Sequence, residues 1–350
     1  MNIHNDRETI RAVDWVAVFP FLKLSKALRE ALQPARLALG FLWFFSVLAG
    51  AFAWLRMGGG AMPNAEGDLF AVWQGHGMSG VAGVVLDMCC ASAVACAALG
   101  APAVLLTFVF GGAISRLAAL DAARGRWGRF RDASAFLRAR LFSLVFAPVL
   151  MFIIPGGLFG LLVLAGRLWP ASQAFGGLAM VMFGLFMAAG LVAAAVLLVG
   201  FAASVMLVPA MSVDGNDGFD APGRAISYLL ARAGLVAVNL AFLAVLGVLA
   251  WFLATRARDC AISLLIAAWP ADCQVSKSAA NCQPWLFLLD MFGVAYAFSF
   301  FATGLTRVYL IVRESADGVP ETELWNPSDD KKVTMGVEEG APPAQAEGHE

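Results

Sequence analysis

Six apolar runs decide what this chain can fold into. Residues 37–55, 90–114, 141–165, 178–208 and 235–254 hold no charged side chain, and 285–312 holds two. At about 1.5 Å of rise per residue, roughly twenty residues cross a ~30 Å hydrocarbon core, so each run is long enough for one transmembrane helix. The runs are apolar throughout rather than striped, which calls for lipid as solvent. Composition agrees: 60% of the residues are hydrophobic and 14% charged, against roughly 45–50% and about 25% in a soluble domain. The expected fold is an all-α integral membrane protein with about six transmembrane helices and short amphipathic interfacial helices.

The connections divide the chain further. Residues 1–36 form an N-terminal segment in which Phe21, Leu24, Leu28, Ala31 and Leu32 recur at helical spacing, with Lys23, Lys26, Glu30 and Gln33 on the other face. That pattern suits a helix lying in the membrane interface. Residues 37–312 hold the six spans, and 313–350 read as a disordered acidic tail rich in Pro, Gly and Ala. The segments 21–33, 116–140 and 221–232 each precede a pair of spans and can each form a short interfacial helix, which would make the chain a quasi-repeat of three hairpins. Residues 56–80 and 255–284 read as loops. Asp87 interrupts the apolar stretch before the second span, leaving open whether 81–90 lies in the membrane or on it. The start of the chain lacks the pattern of a cleaved secretory signal, so targeting is expected to rest on the first span.

Charge sets the expected orientation. The N-terminal segment and the 116–140, 211–233 and 307–350 segments together carry 19 of the 24 Lys and Arg, and the opposite loops carry 5. Positive charge accumulates on the cytoplasmic side of a span, so both termini are expected there. Net charge is −1, which gives no field for nucleic acid. Arg124, Arg126, Arg129 and Arg131, interleaved with Trp127 and Phe130, form a patch expected to rest on anionic membrane lipid. No protein partner can be named from the sequence.

Few residues are placed to carry chemistry. Ionisable or strongly polar groups inside apolar runs are functional candidates by default, and Asp87, Asn239, Asp290 and Arg307 are the candidates for a ligand or transport site. Each also has a structural reading near a span end, where water or a neighbouring helix satisfies it. The segment Asp214-Gly215-Asn216-Asp217-Gly218-Phe219-Asp220 fails the calcium-loop pattern, with Gly218, Phe219 and Ala225 where ligands or the invariant glycine belong. It reads instead as a turn in which Asp220 caps a helix beginning at Ala221. Cys260, Cys273 and Cys282 share one polar connection, where two of them can form a disulfide in an oxidising compartment. Their spacing matches no zinc pattern. No metalloprotease, nucleophile-elbow, phosphate-loop or dinucleotide motif occurs, so no catalytic residue and no cofactor is expected.

Several short stretches resemble a group of uncharacterised bacterial multi-pass membrane proteins. They are Gly111-Gly112-Ala113-Ile114-Ser115-Arg116-Leu117-Ala118-Ala119 and Asp217-Gly218-Phe219-Asp220-Ala221-Pro222-Gly223-Arg224-Ala225-Ile226-Ser227-Tyr228, with Asp14-Trp15 and Phe19-Pro20 upstream. Pro148 in the third span and Val308-Tyr309-Leu310-Ile311-Val312-Arg313 followed by Asp317-Gly318 add to the likeness. More loosely, the layout is similar to the membrane domain attached to bacterial glycerophosphodiester phosphodiesterases, whose catalytic domain has no counterpart here. The resemblance implies a topology in the bacterial cytoplasmic (inner) membrane and no assigned activity. The expectation is a non-enzymatic membrane-organising, scaffold or accessory protein. The alternative is a small-solute transporter, motivated by spans interrupted at Pro102, Pro148 and Pro155.

Overall fold

The computed structural model describes residues 19–57, 69–91, 94, 96–125, 127–168, 176–268 and 275–325, and every statement of structure below concerns these residues. They are helical, with no strand among them. A 3₁₀ turn, Pro20–Ser25, leads into α1 (Lys26–Glu30), followed by α2 (Pro34–Arg56) and α3 (Leu69–Ala91, kinked at Gly77). A π-turn at Cys96–Gly100 opens α4 (Ala101–Arg124), and α5 (Phe130–Leu168) and α6 (Gly176–Asp214) follow. Then come α7 (Asp220–Ala231), α8 (Ala233–Ala268) and α9 (Val275–Asp317). Six of these helices, α2, α4 with its π-turn, α5, α6, α8 and α9, are long and apolar enough to cross a membrane. All six expected spans are present.

Local chemistry explains several boundaries. Gln33 is extended and Pro34 opens α2, where its missing N–H breaks no helical bond. Gly125 ends α4 at φ 60, the left-handed conformation that glycine adopts without a Cβ clash. Asp132 Oδ2 accepts the Arg129 N–H at 3.0 Å and so secures the start of α5. α5 stays helical through Pro148 and Pro155, where surrounding helices tolerate the lost bonds.

Two helices organise the bundle. α9 packs against α2, α4, α6, α8 and the N-terminal turn, and α4 packs against α2, α5, α6 and α9. The backbones of α2 and α9 approach closely at Gly40, where a Cβ would sit 2.6 Å from the Ala295 carbonyl oxygen of α9. Trp43 stacks on Phe298 at 4.1 Å and donates to Thr107 Oγ1 at 3.0 Å, joining α2 to α9 and α4. Burial concentrates at the end of the bundle that holds residues 19–36 and 313–325, called here the terminal end. From Gly111 to Asp121, every residue of α4 is buried.

Five features differ from the sequence reading. Residues 69–80 of the expected 56–80 loop are helical, forming the first part of α3. No separate interfacial helix forms in 116–140, because α4 runs on to Arg124 and α5 begins at Phe130. Two of the three expected interfacial segments are therefore helices, Pro20–Glu30 and Asp220–Ala231. Residues 255–284 are largely helical, since α8 extends to Ala268 and α9 begins at Val275; once nucleated in lipid, a helix continues through polar sequence at little cost. Asp220 is the first residue of α7 and not its cap: Phe219 holds that position, with no side-chain cap bond. The tail does not begin at 313, because α9 continues to Asp317 and the following residues return against the bundle, with the Trp325 N–H on the Val213 carbonyl at 3.0 Å.

Candidate functional site

Two clusters of buried charge occupy the terminal end. The first joins α1, α2, α4 and α9. Arg36, 0% exposed, pairs with Asp121 at 2.5 Å and donates to the Leu117 carbonyl at 3.2 Å and to Thr303 Oγ1 at 3.4 Å. Gln33 donates to the same Asp121 carboxylate, which also accepts the Gly128 N–H at 3.2 Å. Arg307 holds Glu30 through two N–H groups, one of them Nε at 2.9 Å, and Arg36 lies 3.8 Å from the same carboxylate. Two acids thus face two arginines. Such a cluster is neutral as a whole, the condition under which buried ions persist.

The second cluster joins α4, α5, α6, α7, α9 and the returning segment. Asp214, at the end of α6, receives Arg313 at 2.8 Å, Arg224 at 3.1 Å and the Tyr309 hydroxyl. Tyr228 donates to Asp317. Arg116 reaches the Ser212 carbonyl at 2.9 Å and the Trp325 carbonyl at 2.8 Å. Arg116 and Arg140 both lie over the Trp325 ring, at 5.5 Å and 4.6 Å from its centroid, while Arg140 pairs with Asp217. The motif residues Arg116, Asp217, Arg224, Tyr228, Arg313 and Asp317, scattered over 202 positions of sequence from 116 to 317, are drawn into this one region.

Protonation follows these contacts. Burial raises the Tyr228 pKa first, and its bond to Asp317 raises it further. Burial works against the charge on Lys23, but Glu321 and Glu314 outweigh it and the pKa is raised. Burial likewise opposes the charge on Arg224, and Tyr228 and Asp214 overcome it. Each group is held in the protonation state it has near neutral pH.

Two hollows open beside these clusters. One of about 250 Å³ is lined by Lys26, Arg29, Glu30, Asp121, Trp127 and Arg307 among others. The other, of about 460 Å³, lies between Asp214, Arg224, Tyr228, Arg313, Glu323 and Trp325. Thr306 donates to Ser115 at 2.9 Å. Among the described residues, no three His, Cys, Asp or Glu converge on a point that would hold a metal ion. The arrangement ties helices together and presents cations at its surface.

The sequence-derived candidates are dispersed. Arg307 belongs to the first cluster. Asn239 is buried and donates to the Leu235 carbonyl of its own helix at 2.7 Å. Asp290 lies toward the opposite end, seventeen residues from Arg307 on the same helix, or about 25 Å. It accepts the Trp73 indole N–H at 3.0 Å and a bond from Arg258 Nη2 at 3.3 Å. Arg258 Nε, 2.8 Å from the same carboxylate, pairs with it by charge without the alignment of a hydrogen bond. Asp87 is exposed, at the end of a short apolar helix from Gly77. Of the expected lipid-facing patch, Arg124, Arg129 and Arg131 are exposed, and Arg126 lies outside the described residues. Cys260 is an exposed residue of α8, Cys273 lies outside the described residues, and so does the side chain of Cys282.

Sequence reasoning missed Glu30, Arg36, Asp121, Asp214 and Arg313 as site residues. Their one visible signal was position: each sits at or near the terminal-end limit of an apolar run or interfacial helix. No protein-family model, curated protein or solved structure matches this chain.

Proposed function

We propose that this chain is a non-enzymatic membrane-organising or accessory protein of a bacterial cytoplasmic membrane. Its terminal end faces the cytoplasm and rests on anionic lipid. The observation that carries this reading is the division of labour among its charges. The ions Glu30, Arg36, Asp121, Asp214, Arg307 and Arg313, whose side chains are at most 11% exposed, are bound to one another, whereas Lys26, Arg29, Arg129 and Arg131 are exposed around them. The 19 to 5 distribution of Lys and Arg supports the orientation. A carrier would need polar groups converging at mid-membrane; Asp290 and Arg307 are instead about 25 Å apart, and the hollow between α8 and α9 is lined by Gly247, Val248, Trp251, Phe300 and Phe301.

The test replaces Arg124, Arg126, Arg129 and Arg131 together with glutamine. Topology is read by impermeant maleimide labelling of single cysteines, and the enrichment of anionic lipid around purified protein by lipid analysis. The expected result is altered topology or loss of that enrichment. Unchanged topology with unchanged enrichment overturns the reading. Water-accessible labelling at Asn239 and Arg307 from the periplasmic side would turn attention to transport.

A further inference from the structure

We infer that the groove beneath α1 holds one acyl chain of an anionic phospholipid, with its phosphate at Arg29. This rests on the reading of the terminal end as lipid-facing and gives it a specific site.

The groove follows from how α8 is packed. α8 meets α9 along a narrow stripe in which Leu243 covers Gly304, Gly247 meets Phe300 and Phe301, and Trp251 meets Gly293. The next stripe of α8, Leu246, Leu249 and Leu253, is left facing the underside of the N-terminal segment. α1 ends at Glu30 and is too short to cover it. The result is a hollow of about 470 Å³, walled by Leu246, Leu249 and Leu253 of α8 and by Phe292 and Tyr296 of α9, with Leu28 above. Tyr296, the one polar side chain on its inner wall, spends its hydroxyl on the Leu28 carbonyl at 3.3 Å. The interior therefore asks for hydrocarbon. Three elements line this open groove, so a chain seated there touches more than one helix, unlike a lipid lying against a single one.

The rim asks for an anion. Arg29 lines both this apolar groove and the polar hollow of about 250 Å³ on the other side of α1, which Lys26 also lines. The acids of the polar hollow are already matched: Glu30 with Arg307, Asp121 with Arg36, and Glu321 with Lys23. Among the described residues, Lys26 and Arg29 are exposed and have no carboxylate partner. A guanidinium and an ammonium side by side match a phosphate. A free phosphate would satisfy the rim alone, and a neutral lipid the groove alone. A phospholipid with net negative charge satisfies both.

The experiment uses the full chain, purified from mixed phosphatidylglycerol and phosphatidylcholine vesicles and analysed by native mass spectrometry for retained lipid. Wild type is expected to keep one phosphatidylglycerol under conditions that strip the rest. Lys26→Gln with Arg29→Gln, both surface changes, should lower that retention about tenfold, the effect of losing one good charge-assisted contact. Leu249→Trp should lower it with both cations intact, while Leu191→Trp, on the exposed face of α6, should not. Equal retention of the two lipids, or a photocrosslink from position 249 to a second copy of the chain, overturns the assignment. If the groove variants change nothing while the four-arginine replacement abolishes anionic-lipid enrichment, the groove fails and the wider reading survives. If neither changes, both fail.

Discussion

At the terminal end, α4 is buried on every side from Gly111 to Asp121, and arginines sit among its neighbours. In the opposite halves of α5 and α6, Phe159, Leu161, Phe183 and Leu191 are each at least 60% exposed, and the only solvent such surfaces suit is lipid. The same helices obey two sets of rules along their length. Where protein surrounds the backbone, ions are admitted as long as each meets its opposite. Where lipid surrounds it, side chains need only be apolar and approximately the right size, since lipid repacks around whatever it meets. Uniqueness of fold is therefore concentrated at one end of the bundle, and the other end is specified mainly by hydropathy.

Mutations can break this comparison or sharpen it. The largest effect is expected from Asp121→Ala, which strands Arg36 in the interior and should cost about 3–5 kcal/mol, measured by equilibrium unfolding in mixed detergent and denaturing micelles. Replacing both partners, Arg36→Met with Asp121→Leu, should recover most of that loss, and a double variant no better than the single one would show that the pair does more than balance charge. Gly40→Leu pushes a side chain into the Ala295 carbonyl and should cost about 1–3 kcal/mol by overpacking, read from the same unfolding curves.

Smaller effects follow. Trp325→Ala removes the ring under Arg116 and Arg140, with an expected loss of about 1–2 kcal/mol and faster proteolysis after Asp317. Tyr228 gives a pH signature. Its folded pKa is raised above the ordinary value of about 10, so its stabilisation is complete below that value and is lost as pH rises through the folded pKa. Tyr228→Phe should remove this alkaline component from a titration of stability, and a neutral-pH loss without any alkaline change would contradict the assignment. At the far end, Phe159→Ala and Leu191→Ala should each shift stability by no more than about 0.5 kcal/mol. A loss comparable to that of Asp121→Ala would erase the contrast between the two ends.

The same contrast explains what the sequence made legible. The six spans were readable because hydropathy is a local property: 37–55 declares itself without knowledge of any neighbour. The pairing of Arg36 with Asp121 was not, because it depends on which helices lie side by side, and the two residues are 85 positions apart. Arg307 was noticed as an intramembrane charge, but its partner Glu30 looked like one more polar residue on an interfacial helix. Asp220 looked like a cap, whereas Asp214, six residues earlier, is the acid that gathers three partners. The start of the expected tail, 313–325, was misjudged from its composition, which cannot report that one tryptophan finds two arginines. Arg29 and the groove beneath it were invisible for a related reason: a gap exists only once the helices that fail to fill it have been placed.

The bond between Glu30 and Arg307 spans 277 positions of sequence, and it links an acid made early in synthesis to an arginine carried by the last span. Until α9 enters the bilayer, Glu30 and Asp121 share the single positive charge of Arg36, and Arg307 cannot settle in the membrane cheaply without Glu30. The charge of this cluster is thus balanced only once α9 meets α1. A nascent or truncated chain lacking α9 would leave two acids facing one arginine, an excess of negative charge at the end of the bundle.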